Sequence, residues 1–136
     1  MRVTNFAAAA SIAAAMLALG ACDRTRPILN IHDEPIPPRG ASLDEIGREI
    51  TIAAGSLHWR ITEAAPGHLV AKINAQDHEA SVDIAYTGQN YSITLKDTAN
   101  LLQNPDGTIH RRYDSWIANL RDKIDLQLAA YIPPKS

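Results

Sequence analysis

The sequence predicts an α+β domain of two layers. A four-stranded antiparallel meander carries an N-terminal helix and a long C-terminal helix on one face, in the order α-β-β-β-β-α. Three observations predict it. One apolar run of helical period opens on a capping-box signature. Four consecutive segments alternate apolar and polar residues with turn signals between them. A final run of about twenty residues repeats its apolar positions at helical spacing.

Ahead of that domain, residues 22–41 read as a tether. Pro27, Pro35, Pro37 and Pro38 fall within it and its charges alternate. A proline-rich segment extends at about 3.1 Å per residue, enough to hold a domain roughly 60 Å from its attachment point. Ile28-Leu29-Asn30-Ile31 is an apolar exception that either docks on the domain or adds an edge strand. The domain itself is expected over residues 42–132.

Ser42 with Glu45 three positions on matches a capping box. Leu43, Ile46, Ile50, Ala53 and Ala54 then share a face, and Gly55 stands where a helix over 43–54 would end. The first strand alternates Leu57, Trp59 and Ile61 with polar neighbours, and the second alternates Leu69, Ala71 and Ile73. Ala80, Val82, Ile84 and Tyr86 mark the third strand, and Tyr91, Ile93 and Leu95 the fourth. Ala65-Pro66-Gly67, Gln76-Asp77 and Thr87-Gly88-Gln89-Asn90 supply turns short enough to require antiparallel neighbours. Ile109, Tyr113, Trp116, Ile117, Leu120, Ile124 and Leu128 form the apolar stripe of the last helix. Asp106-Gly107-Thr108 offers turn and cap chemistry before it, and Pro133-Pro134 stops it.

The chain opens on Arg2 within a short polar stretch, then an alanine-dominated run from Phe6 to Leu19. A bilayer span needs about 20 apolar residues, so the run has the proportions of a signal-peptide core instead. Leu19-Gly20-Ala21-Cys22 closes it and resembles the lipobox of bacterial lipoproteins. The resemblance implies acylation of the Cys22 thiol, cleavage after Ala21 and acylation of the new amino terminus. Small residues at 20 and 21 let extended backbone enter a peptidase cleft, and a thiol alone forms the thioether. The partner so implied is the lipid bilayer, with the domain facing the periplasm. Asp23 resembles an inner-membrane retention signal in enterobacterial lipoproteins and leans the reading towards that membrane.

Removing residues 1–21 from the 136 takes only Arg2 of the 13 basic residues, leaving 115 residues with 12 basic and 15 acidic, a net charge of −3. That balance argues against nucleic acid as a partner. Cys22 is the only cysteine, so the fold cannot depend on a disulfide.

Aligning the apolar faces sets a register in which Arg60 meets Lys72, Lys72 meets Ser81, and Ser81 meets Lys96, with Asp83 diagonal to Lys72. Like charges directly opposite one another destabilise a sheet mildly. Arg60, Lys72 and Lys96 are therefore a candidate docking face for an anionic envelope component or protein, or else a solvated face whose side chains splay apart. Asn100, His110 and Asp114 cluster around the last loop, with His110 and Asp114 one helical turn apart. They are a candidate polar recognition site, or simply cap the helix and bond loop backbone. The five histidines, His32, His58, His68, His78 and His110, do not converge in this register as a metal needs. Trp59, Tyr113 and Trp116 form a possible stacking trio but fall on predicted core faces. No G-x-S-x-G elbow, H-E-x-x-H, P-loop or G-x-G-x-x-G is present. No catalytic residue, metal or cofactor is assigned.

Several short stretches then carry a family likeness: Trp59-Arg60-Ile61 with Pro66-Gly67; Val82-Asp83-Ile84-Ala85-Tyr86; Tyr91-Ser92-Ile93-Thr94 with Asn100-Leu101; and the run from Ile109 to Ile117. Through them the region from His58 to Leu120, about half the chain, resembles a group of small proteobacterial lipoproteins of uncharacterised function. The group leads one to expect an aromatic at Leu95 and an amide at Asp114, where this chain differs. The likeness implies the anchor and the fold and transfers no activity. The expectation is a lipid-anchored envelope protein that binds or scaffolds without catalysis. The alternatives are a small envelope hydrolase or metal-dependent enzyme, and a purely structural accessory subunit.

Overall fold

A computed structural model describes residues 24–135. Ala21, Cys22 and Asp23, with the rest of the leader, lie outside the described residues. The chain runs through β1 (Thr25–Pro27), β2 (Ile31–Pro35), α1 (Leu43–Ser56), β3 (Arg60–Ala65), β4 (His68–Ala75), β5 (His78–Tyr86), β6 (Asn90–Ala99), β7 (Thr108–His110) and α2 (Arg111–Ala130).

The capping box forms. Glu45 N donates to Ser42 Oγ at 3.2 Å, and Ser42 N donates back to Glu45 Oε2 at 2.7 Å, which holds the Glu45 carboxyl below its usual range. Gly47 sits inside α1 with the Tyr86 phenol against it, where a Cβ would collide with the hydroxyl. The helix outruns the expected stop at Gly55. It closes in a Schellman pattern instead, His58 N to Gly55 O at 3.0 Å and Trp59 N to Ala54 O at 3.1 Å. His58 takes the left-handed position at φ 69.

Strands β3 to β6 form the expected antiparallel meander within a five-stranded sheet of order β2-β6-β5-β4-β3. Arg60↔Lys72, Lys72↔Ser81, Ile73↔Ala80, Ile84↔Ile93 and Tyr86↔Tyr91 pair as alternation predicts. One pairing differs. A bulge between Ser81 and Val82 sets Ser81 opposite Asp97, so Lys96 does not face Ser81. Leu69, Ala71, Ile73, Ala80, Val82, Ile84, Tyr86, Tyr91 and Ile93 are buried, and Ile46, Ile50, Ala53 and Ala54 of α1 join them in one core with the inner face of α2.

The segment read as a tether belongs to the fold. β2 pairs with β6 as the outermost strand, Ile31↔Ile93 and Glu34↔Tyr91, and both Ile31 and Ile36 are buried. β1 pairs with β7 in a separate ribbon, Thr25↔His110 and Arg26↔Ile109, and Leu29 N donates to Asp114 Oδ1 at 3.0 Å. Prolines do not prevent this. Pro27 and Pro35 stand at strand ends on sheet edges, where the missing N–H costs no interior ladder bond.

Ile109 lies in β7 rather than in the last helix, though fully buried as expected. α2 buries Tyr113, Ile117, Leu120, Ile124 and Leu128. Trp116, expected in the core, is only half-buried and packs on the core's rim. Two fully buried phenols differ in what they meet. Tyr91 donates to Asp125 Oδ1 at 2.6 Å, with the Arg121 carbonyl at 3.2 Å, whereas the Tyr113 hydroxyl has no partner among the described residues. Burial raises both above the ordinary tyrosine range. Tyr91→Phe should therefore cost about 1–3 kcal/mol and Tyr113→Phe should be neutral or stabilising, read as shifts of the denaturant midpoint.

Candidate functional site

The corner where β7 enters α2 gathers most of the unusual local geometry. The Gln76-Asp77 turn between β4 and β5 holds both residues at positive φ, 51 and 67, as a primed two-residue hairpin requires. Aspartate tolerates the left-handed region, so the strain of the turn falls on Gln76. Asn100 and Leu102 are left-handed too, at φ 58 and 52. Contacts hold these positions together. Asn100 Nδ2 donates to Asp77 O at 2.7 Å, His78 Nδ1 donates to Asn100 O at 2.6 Å, and Arg112 donates to Gln76 Oε1 at 3.3 Å. Strain concentrated and over-determined in this way is characteristic of sites rather than of plain connections.

His78 stacks on His110, ring centroids 5.7 Å apart. His110 is the N-cap of α2. Its Nδ1 accepts from Arg112 N at 3.1 Å, which places the neutral ring's proton on Nε2. Burial, His78 and the nearby guanidiniums of Arg112, Arg111 and Arg24 lower its pKa from the ordinary 6.5. The unfolded chain thus binds the proton more readily than the folded one. Stability is unaffected above the ordinary value and falls as pH drops below it, towards the lowered native value. Protonation also abolishes the cap. Thermal melting should show α2's N-terminus loosening on acidification, and His110→Asn, which still caps, should flatten that dependence.

Of the predicted polar site, the structure brings Asn100 and His110 together through His78. Asp114 is directed elsewhere, to the Leu29 amide. On the sheet face, Arg60 and Lys72 are opposite one another, but Lys72 Nζ lies 2.8 Å from Glu79 Oε1. Lys96 Nζ lies 3.9 Å from Asp83 Oδ1, which also holds His68 Nε2 at 2.7 Å. Two of the three cations in the candidate docking face therefore have carboxylate neighbours, each exposed pair contributing roughly 0–1 kcal/mol.

A groove runs along the N-terminal half of α2. At one end it is a cleft of about 360 Å³ lined by Leu57, Trp59, Ile73 and Trp116 with polar edges from His58, Asn74 and Asn119. Trp116 and Asn119 also line the adjoining hollow with His110, Arg111, Arg112 and Ser115. The surface is thus apolar and aromatic at one end and basic at the other. That suits an occupant with an apolar group beside an anionic one. Sequence reading picked out Trp59, Trp116 and His110 but not their alignment, and it missed His78, Asn119 and the arginines. The pair Arg111-Arg112 beside His110 was the available signal.

Among the described residues, no group of three or more histidine, cysteine or acidic side chains is placed to hold a metal, and no helix is long and apolar enough to cross a membrane. No family model, curated protein or solved structure matches this chain.

Proposed function

We propose that this chain is a lipid-anchored protein of the bacterial cell envelope, fixed to the bilayer through acylated Cys22 with its domain facing the periplasm, and that its work is to bind rather than to catalyse. The leader, the small residues before Cys22 and the single thiol support the anchor. The groove from Trp59 and Trp116 to His110 and Arg112 carries the binding reading, since it combines a fixed aromatic floor with cations at one end. Trp contributes large contact area at low entropic cost, and the half-buried Trp116, backed by the buried Trp59, presents such area to an occupant.

A photo-crosslinking residue at position 119, introduced in the native envelope and followed by mass spectrometry, tests this. One specific partner is expected, and it should be lost in Trp116→Ala. That substitution should destabilise the half-buried site by less than the ~3–5 kcal/mol of a core tryptophan. Repeated recovery of no partner would overturn the binding reading.

A further inference from the structure

Four arginines from opposite ends of the domain converge at this same corner. Just beyond the end of the β1–β7 ribbon Arg111 N donates to Arg24 O at 2.8 Å, which brings the backbones of the two residues together. Arg26 and Arg111 line one hollow, and Arg112 follows at the start of α2. Arg24, Arg26 and Arg111 are exposed. Among the described residues, no carboxylate stands within 4.0 Å of any of the four guanidiniums. Asp114, which lines the hollow with Arg26 and Arg111, is engaged by the Leu29 amide. Guanidiniums gathered without carboxylate partners repel one another, so the arrangement gains from an external anion.

The chain outside the structure supplies the partner. Cys22 stands two residues before Arg24, and two extended residues reach about 7 Å. A bilayer holding Cys22 therefore lies against this corner, because the ribbon that begins at Thr25 leaves no length for a spacer. Leu102, left-handed and more than half exposed, adds an apolar side chain on the loop that closes onto β7 through the bond from His110 N to Leu101 O. Arginines beside an exposed leucine suit an anionic membrane surface.

Resting on the proposed anchor, we infer that Arg24, Arg26, Arg111 and Arg112 dock on the anionic phospholipid headgroups of the bilayer holding Cys22, so that the domain lies flush on the membrane with the end of β1 and the start of α2 facing it.

The test reconstitutes the full processed protein into vesicles of phosphatidylcholine with or without phosphatidylglycerol, each bearing a dansyl headgroup probe, and reads energy transfer from Trp59 and Trp116. Transfer is expected to be several-fold higher with phosphatidylglycerol, to fall with added salt, and to fall again when the four arginines are replaced by glutamine. Arg60→Gln with Lys72→Gln on the sheet face should leave it unchanged. Unlipidated Cys22→Ser protein produced from residue 22 onward, without the leader, should still partition onto phosphatidylglycerol vesicles, weakening about fivefold for each guanidinium removed. Equal transfer in both vesicles overturns the docking surface, and so does a quadruple variant that melts normally and transfers fully. The wild-type comparison needs no substitution, so a variant that misfolds leaves the test intact. The mass at Cys22, read on the same sample, reports the anchor separately: a bare thiol with the lipid dependence intact removes the anchor and keeps the surface.

Discussion

Leu120→Ala is expected to lower the unfolding free energy by about 2–5 kcal/mol. Leu120 is fully buried on α2, between Ile117 and Ile124 on the same stripe, and packs into the core shared with the sheet and α1. Truncation removes the transfer free energy of its methyl groups and leaves a void that surrounding isoleucines on a fixed sheet cannot close. A domain of this size holds roughly 5–15 kcal/mol in total, so the loss is a large fraction of it. The same change at Leu126, 64% exposed on the opposite side of the helix, should stay within about 0.5 kcal/mol. Urea unfolding of both variants reads the contrast, and equal effects would mean that α2 does not bury the stripe described.

Cys22→Ser is expected to have the largest effect on where the protein resides. Oxygen does not form the thioether, so the acyl chains are not added and the leader is not removed. An anchored protein needs at least two acyl chains for stable attachment, each buried CH₂ contributing about 0.8 kcal/mol. The variant should accumulate as an unprocessed precursor without acyl label. Normal processing and membrane retention of this variant would refute the anchor.

The parts of the fold written in local pattern were legible. Ser42 and Glu45 gave the capping box, and period-two alternation gave the four strands of the meander and most of their register, because a slip of one residue would turn every apolar side chain outward. The bulge at Ser81 was not legible, since Tyr91, Ile93 and Leu95 alternate correctly up to the point where the extra residue enters. The patch Ile28–Ile31, read as docking on the domain or adding an edge strand, packs on the core and opens β2 at Ile31, but β1 was hidden for a different reason. A three-residue strand has no periodicity, and what fixes it is a bond such as Leu29 to Asp114, 85 residues distant. Composition pointed instead to a tether, because four prolines outweighed one apolar patch.

The candidate site shows the same division. Asn100 and His110 were visible as polar residues flanking a loop, but His78 joins them only because β5 begins beside that loop. The Gln76-Asp77 hairpin lacks the Asn-Gly signature of its turn type, so its strain was invisible. Arginines at 24, 26, 111 and 112 make one patch only after the ribbon forms. A cluster assembled from the two ends of a domain leaves no run in the sequence.

The most direct test is the intact mass and N-terminal sequence of the protein extracted from native envelopes. A chain beginning at Cys22, with acyl mass on both its thiol and its amino group, is the predicted result. A free sulfhydryl on protein recovered from the soluble fraction, with the leader cut elsewhere or retained, would contradict it.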